Sequence, residues 1–161
     1  MGIKIAITGH TKGLGKALFE ACKKQNHDVV GFSRSNGFDI KHPFQRQSIV
    51  EAVSDFDVFI NLVHNYYHQS DILLALHEKW NGKNKVVINI SSAVTTNEGW
   101  AMDDYKMMEY KLQKMNLENF SKYLTKMNDL PKLVTYTISE ISIESDTNKI
   151  IEIINEEILK K

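Results

Sequence analysis

The chain has 161 residues, of which 42% are hydrophobic and 25% are charged, and these shares predict one globular domain spanning residues 1–161 with a core of its own. Because 20 basic residues balance 20 acidic ones, charge gives no argument for a nucleic-acid or membrane partner. A lone cysteine, Cys22, excludes a disulfide within the chain, and no apolar run approaches the ~20 residues that span a bilayer. With no signal peptide before Ile3, we expect a cytoplasmic protein.

The first element is a short apolar strand that leads through glycines into a helix. The strand carries Ile3, Ile5, Ala6 and Ile7, and the helix carries Leu14, Leu18, Ala21 and Cys22 at helical spacing. Between them stands Thr8-Gly9-x-x-x-Gly13-x-Gly15. Glycines let a pyrophosphate approach the backbone, and the helix N-terminus attracts an anion. The pattern therefore predicts the first half of a nucleotide-binding βαβ unit, the alternative being an ordinary β-turn-α connection.

This glycine spacing resembles that of the short-chain dehydrogenase/reductase superfamily. The resemblance implies an α/β Rossmann-like fold, a doubly wound parallel sheet in one compact domain with strand order about 3-2-1-4-5-6. It also implies cofactor-binding roles in the glycine loop for Thr8, Gly9, Thr11, Lys12, Gly13, Leu14 and Gly15.

The second strand, Val29–Phe32, ends at Ser33-Arg34 without a carboxylate. In dinucleotide folds an acidic residue here binds the ribose 2′-hydroxyl of NAD, whereas a basic residue accommodates the 2′-phosphate of NADP. Lys12 lies near the same phosphate. We therefore expect NADP(H) to be preferred over NAD(H), with Ser33 and Arg34 at the cofactor; alternatively, Arg34 is a solvated surface charge.

Only four residues separate Arg34 from Asp39, too few for a crossover helix, so a third strand is at most a stub at 38–40. The pair Asp39-Ile40 before a helix starting at Pro43 resembles the dTDP-4-dehydrorhamnose reductase type, which implies that Asp39 and Ile40 lie beside the adenine. The alternative is a turn or N-cap aspartate.

A central strand over 57–63 ends in Asn61-Leu62-Val63-His64. The superfamily usually has N-N-A-G here, so only Asn61 matches, and Asn61, Leu62 and Val63 are expected to flank the cofactor. His64 and His68 lack a third metal ligand, so we expect the segment 64–68 to line a cofactor or substrate cleft rather than to bind a metal. The next helix, over 70–80, has Gln69 near the place of the superfamily's catalytic asparagine but no obvious Asn.

The fifth expected strand, over 85–92, ends in Ser91-Ser92, and Ser92 resembles the superfamily's catalytic serine. A helix over 103–127 follows with Tyr110 and Lys114 one turn apart, so that the lysine can lower the pKa of the phenol, which then acts as a general acid. Tyr105 competes, because it lies 13 residues after Ser92, but its +4 residue is Glu109. We favour Tyr110.

A sixth strand is expected over 132–139 and a closing helix from Thr147. Substrate-selecting residues would lie in loops 95–102 and 140–146, which match no substrate pattern. The expected function is an NADP(H)-dependent oxidoreductase that acts on a small carbonyl/alcohol substrate. The alternatives are a non-catalytic dinucleotide-binding regulatory or redox-sensing module, and an interaction protein without a cofactor. The superfamily resemblance also implies a homodimer through the helices after the fourth and fifth expected strands, which carry Trp80, Met107, Met108 and Met115.

Overall fold

The fold is organised around one parallel five-stranded sheet. The computed structural model describes residues 2–97, 104–138 and 142–159. The strands are β1 (Lys4–Thr8), β2 (Asp28–Phe32), β3 (Val58–Asn61), β4 (Val86–Ser92) and β5 (Lys132–Ile138). They lie in the order β2-β1-β3-β4-β5, and every neighbouring pair is parallel. All the carboxyl ends therefore meet at one edge of the sheet, where ligands bind in open α/β folds.

Helices connect the strands. They are α1 (Gly13–Lys24), α2 (Pro43–Ala52), α3 (His68–Lys79), α4 (Tyr105–Met127) and α5 (Ile143–Leu159). Pro43 is in the first turn of α2, where its missing N–H costs no hydrogen bond. The Asp104 carboxylate accepts from the backbone N–H groups of Lys106 and Met107 and so caps α4. No helix in the described ranges combines the length and the apolarity needed to cross a membrane.

Two apolar cores lie on the two faces of the sheet. The core under α2, α3 and α4 contains Phe59 and Trp80, both fully buried. The core under α1 and α5 contains Ile7, Leu18 and Ile150, also fully buried. Strands buried on both faces need continuous apolar runs, which explains why β1 and β3 do not alternate with polar residues.

The predicted doubly wound order is confirmed, except for its third strand. The strands expected as first, second, fourth, fifth and sixth are β1 to β5, in the expected relative order. The stub expected at Phe38–Ile40 does not form a strand. Its backbone is bound locally instead, because Phe38 N–H donates to Ser33 O and Asp39 N–H donates to the Gln45 side chain. The closing helix also begins earlier than expected, at Ile143.

Cys22 is the buried thiol that its place on the apolar face of α1 predicts. It is fully buried, and burial raises the pKa of its thiol to about 12. A thiol with so high a pKa carries almost no thiolate at neutral pH, so Cys22 is a packing residue.

Candidate active site at the carboxyl edge of the sheet

A cavity of about 1020 Å³ opens where β1, β2 and β3 end. We call it the dinucleotide cavity. Its lining contains Gly9, Thr11, Lys12, Phe32, Ser33, Arg34, Ser35, Phe38, Asp39, Ile40, Lys41, Leu62, Val63, His64 and Asn65. Three chain segments that the sequence assigned to a cofactor thus converge here: the glycine loop, the end of β2 and the end of β3. His64 and Asn65 belong to the segment expected to line a cofactor or substrate cleft, whereas Phe32, Ser35, Phe38 and Lys41 were not assigned to the cofactor.

The glycine loop turns tightly between β1 and α1. Gly9 has φ +76°, and its N–H donates to Phe32 O at 2.8 Å, which ties the loop to β2. A Cβ on Gly15 would lie 2.0 Å from Gly9 O, so the helix can approach the loop this closely only with glycine there. Gly15 is buried and Leu14 packs against the core under α1 and α5, so neither is in the cavity lining.

Thr8 supports the cavity from below. It is fully buried, and its Oγ1 accepts from the N–H groups of Leu62 at 3.0 Å and Val63 at 3.1 Å. The same hydroxyl is 3.4 Å from Ile60 O, to which it donates. Thr8 therefore fixes the chain after β3, which forms one wall of the cavity.

The turn after β2 presents cations to the cavity. Asn36 accepts from Ser33 N–H and donates to Gly31 O, both at 2.8 Å, so the turn that carries Arg34 is fixed at both ends. Lys12 and Lys41 are two further cations in the cavity wall. An anion such as a phosphate group suits this wall.

Asp39 has a place in the cavity wall and also a local role in its turn. Its Oδ1 accepts from Lys41 N–H at 3.0 Å. The structure thus shows the turn role of Asp39 and places the residue in the cavity wall.

Tyr110 and Lys114 lie beside the dinucleotide cavity. The Tyr110 ring packs edge-to-face on His64, a residue of the cavity wall, with 4.7 Å between the centroids. Lys114 Nζ is 5.8 Å from the centroid of the Tyr110 ring. Burial, and then the nearby Lys114 ammonium, lower the pKa of His64 to about 4, against a hydrogen bond with Gln113. His64 is therefore neutral at physiological pH.

The Lys114 ammonium group is buried and donates its hydrogen bonds to neutral oxygens. The side chain is only 3% exposed, and Nζ donates to Gln69 Oε1 and to Ile90 O, both at 2.9 Å. Burial lowers the pKa of this ammonium group to about 8, although Glu118 acts in the opposite direction.

Gln69 is a site residue that the sequence placed but did not assign. Its Nε2 donates to Asn61 O at 2.6 Å and to Ile90 O at 3.0 Å, while its Oε1 accepts from Lys114. Asn61 Nδ2 donates in turn to Gln69 O and to Asn89 Oδ1. Asn61, fully buried, thus supports this network rather than the cavity wall. The signal in the sequence was the place of Gln69 near that of the superfamily's catalytic asparagine.

Ser92 ends β4 and begins a short 3-10 turn over Ala93–Thr95. Its Oγ accepts from Val94 N–H at 3.4 Å. The described structure records no hydrogen bond between Ser92 and Tyr110. Tyr105, the competing tyrosine, is the first residue of α4 and is 90% exposed, so it lies in solvent rather than at the buried lysine.

The remaining candidates are placed as follows. His68 pairs with Asp71 at 3.0 Å, and no group of three metal-binding side chains occurs among the described residues. Residues 98–102 and 140–141 of the two loops expected to select the substrate lie outside the described residues. Trp80 is fully buried and so is not available to the dimer interface for which the sequence offered it.

Comparison with solved structures places this chain among short-chain dehydrogenase folds. A bulky-bulky ketone specific alcohol dehydrogenase from Comamonas testosteroni matches with a TM-score of 0.73 at 12% identity, covering 97% of this chain and 84% of that one. The 3-alpha-hydroxysteroid dehydrogenase from Pseudomonas sp. B-0831, complexed with NADH, matches with a TM-score of 0.69 at 19% identity, covering 84% and 71%. A short chain dehydrogenase from Burkholderia cenocepacia J2315 in complex with NADP matches with a TM-score of 0.65 at 15% identity, covering 84% and 70%.

Neither family models nor curated protein sequences match this chain. At identities this low, the likeness concerns the fold, and the fold is the one that the glycine spacing predicted.

Proposed function

Since this chain has the fold of the short-chain dehydrogenases, we propose that it is an NADP(H)-dependent oxidoreductase that interconverts a small carbonyl compound and its alcohol. The observation that carries the proposal is the placement of Tyr110 and Lys114. They are one helical turn apart, and Tyr110 packs on His64 in the wall of the dinucleotide cavity.

The dinucleotide cavity fits the cofactor in shape and charge. Gly9 and Gly13 have positive φ, and a Cβ on Gly13 would meet nothing within 4 Å, so the backbone is open to a pyrophosphate. Lys12, Arg34 and Lys41 supply positive charge, which favours the additional phosphate of NADP(H). Solved structures of this fold hold NADH in one case and NADP in another, so the preference rests on this chain's own cations.

The chain's side chains would supply the acid and the electrostatics of the reaction. When bound, the nicotinamide supplies or accepts the hydride. The Tyr110 hydroxyl donates a proton to the carbonyl oxygen as it gains charge, and the Lys114 ammonium stabilises the phenolate left behind. Ser92 Oγ would orient the carbonyl group. Gln69 and Ile90 O hold the ammonium in place.

Two matched variants test the assignment of the acid. Oxidation of NADPH by a panel of aldehydes and ketones is followed at 340 nm. Tyr110→Phe removes the proton donor, so we expect kcat to fall by about 10²–10⁴-fold, the contribution of a general acid. Tyr105→Phe changes an exposed residue outside the site and should leave the rate as it is. Full turnover in Tyr110→Phe would refute the assignment.

One observation favours a second function, a non-catalytic dinucleotide-binding module with a regulatory or redox-sensing role. The His64 ring packs edge-to-face on the Tyr110 ring, and His64 is one of three positions at which the sequence departs from N-N-A-G. If the wild type binds NADPH but turns over no carbonyl in the panel, and His64→Gly turns over none either, this second function replaces the first.

We also propose that the chain is one domain, acts in the cytoplasm, and forms a homodimer through α4. A buried, reduced cysteine suits a reducing compartment. The exposed face of α4 carries Tyr105, Met108, Leu112 and Met115 at spacings of three and four residues, which we call the α4 apolar stripe. Such spacing is typical of a helix that packs on another helix.

A further inference from the structure

The Glu118 carboxylate joins three parts of the candidate active site. Glu118 lies on α4 one helical turn after Lys114. Its Oε1 accepts from Ser91 Oγ at 2.5 Å and from Thr95 Oγ1 at 3.0 Å. Ser91 is fully buried at the end of β4, so one of these donors has no access to water in place of the carboxylate.

These hydrogen bonds fix the turn that carries Ser92. Ser91 precedes Ser92, and Thr95 Oγ1 also lies 3.1 Å from Ser92 O. The chain from 91 to 95 is thereby attached on both sides of Ser92 to α4, the helix that carries Tyr110 and Lys114. Among the described residues, no other side-chain hydrogen bond joins residues 91–95 to α4.

Glu118 also acts on the charge of Lys114. The direct hydrogen-bond acceptors of Lys114 Nζ, Gln69 Oε1 and Ile90 O, are neutral, so they compensate burial of the charge only in part. The titratable side chains that face Lys114 are Tyr110, His64 and Glu118. His64 is neutral at physiological pH, which leaves the Glu118 carboxylate as the anion that favours the protonated lysine.

On its other side Glu118 faces a groove of about 520 Å³ between α4 and β5. Lys122 and Lys126 line the same groove. Neither lysine is in the dinucleotide cavity.

We propose that Glu118 is a positioning residue, whose carboxylate holds the Ser92 turn on α4 and keeps Lys114 protonated beside Tyr110. The catalytic meaning of this role rests on the proposed function. The contacts themselves do not, so the two can be tested separately.

Two variants separate the hydrogen bonds from the charge. Glu118→Gln keeps an acceptor for Ser91 and Thr95 but removes the negative charge. Ser91→Ala removes one hydrogen bond and keeps the charge. Glu109→Gln is the matched control, because it neutralises an exposed carboxylate on the same helix that is not among the charges acting on Lys114.

The first measurement is the pKa of Lys114 by NMR, from the pH dependence of its 13Cε shift in protein labelled on lysine. Lys114→Met identifies the signal. We expect Lys114 to titrate at lower pH in Glu118→Gln than in the wild type, and at an unchanged pH in Glu109→Gln. An unchanged pKa in Glu118→Gln would overturn the charge part of the proposal, whether or not the protein has activity.

The second measurement is the rate of NADPH oxidation with a carbonyl substrate of the wild type. We expect Ser91→Ala to lower kcat by about tenfold through misplacement of Ser92, with the KM for NADPH unchanged. In Glu118→Gln the alkaline limit of the pH–rate profile should move to lower pH. A wild-type rate in Ser91→Ala would overturn the positional part. A wild type without any turnover would refute the proposed function instead, and the NMR result would still decide the role of Glu118.

Discussion

The Lys114 side chain makes the free energy of unfolding depend on pH, because the folded protein buries its ammonium group among neutral oxygens. Its folded pKa of about 8 is below the ordinary value of 10.5. Between these values the unfolded chain binds more protons than the folded one, so this group makes the free energy of unfolding increase as pH rises. Its destabilising effect is complete below pH 8 and disappears above pH 10.5.

Lys114→Met tests this sign. The free energy of unfolding of the wild type minus that of Lys114→Met should become more positive between pH 7 and pH 10.5, by up to about 3 kcal/mol for a shift of this size. Urea denaturation of both proteins at several pH values measures it. Other titrating groups cancel in the difference. A difference that does not change with pH would contradict the burial of a charged Lys114.

Gln69 supplies one of the two hydrogen-bond acceptors of the Lys114 ammonium group. Gln69→Leu removes the Oε1 acceptor of Lys114 Nζ, which penalises the charged form. The alkaline limit of the NADPH oxidation rate should move down by about one pH unit or more, since a hydrogen bond to a charged group contributes about 1.5–3 kcal/mol. Gln69→Glu should move it upwards.

Ser70→Ala is the matched control for Gln69, because it alters the next residue of α3. Ser70 Oγ is buried and has no hydrogen-bond partner in the described chain. Removal of this hydroxyl group should leave the alkaline limit of the NADPH oxidation rate unchanged. If Gln69→Leu and Ser70→Ala gave the same profile, Gln69 would have only a packing role.

At the scale of elements, the turn between β1 and α1 depends on two glycines for different reasons. In Gly15→Ala the new Cβ would lie 2.0 Å from Gly9 O, a backbone atom, so α1 or the loop must move. Gly13 has open space but φ +55°, so Gly13→Ala costs only the left-handed conformation, about 1–2 kcal/mol. We expect Gly15→Ala to lower the urea midpoint more than Gly13→Ala. The reverse order would contradict the close approach of α1 to the loop.

Most elements could be predicted because local patterns determine them. The glycine spacing predicted β1, the loop and α1, and Pro43 marked the start of α2. The expected third strand does not form, because local partners bind its backbone groups. The Asp39 N–H, for example, donates to the Gln45 side chain instead of to a neighbouring strand. The number of residues between Arg34 and Asp39 shows that the connection is short, but it does not show which groups bind its backbone.

Part of the candidate site could also be predicted, because it depends on a pattern within one helix. Tyr110 and Lys114 share a helix face, which a spacing of four predicts. The contacts of Gln69, His64 and Glu118 join α3, the end of β3 and β4 to α4, and they depend on how these elements pack. No periodicity within one element encodes such distances.

At the scale of the whole molecule, the α4 apolar stripe predicts association. A dimer formed there should dissociate when a charge is placed at its centre. Leu112→Glu should therefore elute later than the wild type in size-exclusion chromatography with light scattering, with monomer mass. Phe44→Glu, at an 83% exposed position on α2, is the control. A wild type that is monomeric at high concentration would rule out this interface.

We propose that the cavity at the carboxyl edge of the sheet takes NADP(H), and a titration with both nucleotides tests this proposal. Purified protein is titrated with NADPH and with NADH while nucleotide fluorescence is followed, in the wild type and in Arg34→Ala. We predict saturable binding that is tighter for NADPH, and a loss of about tenfold in NADPH affinity in Arg34→Ala, equivalent to about 1.4 kcal/mol, with NADH affinity unchanged. Absence of binding of either nucleotide at millimolar concentration would contradict the claim.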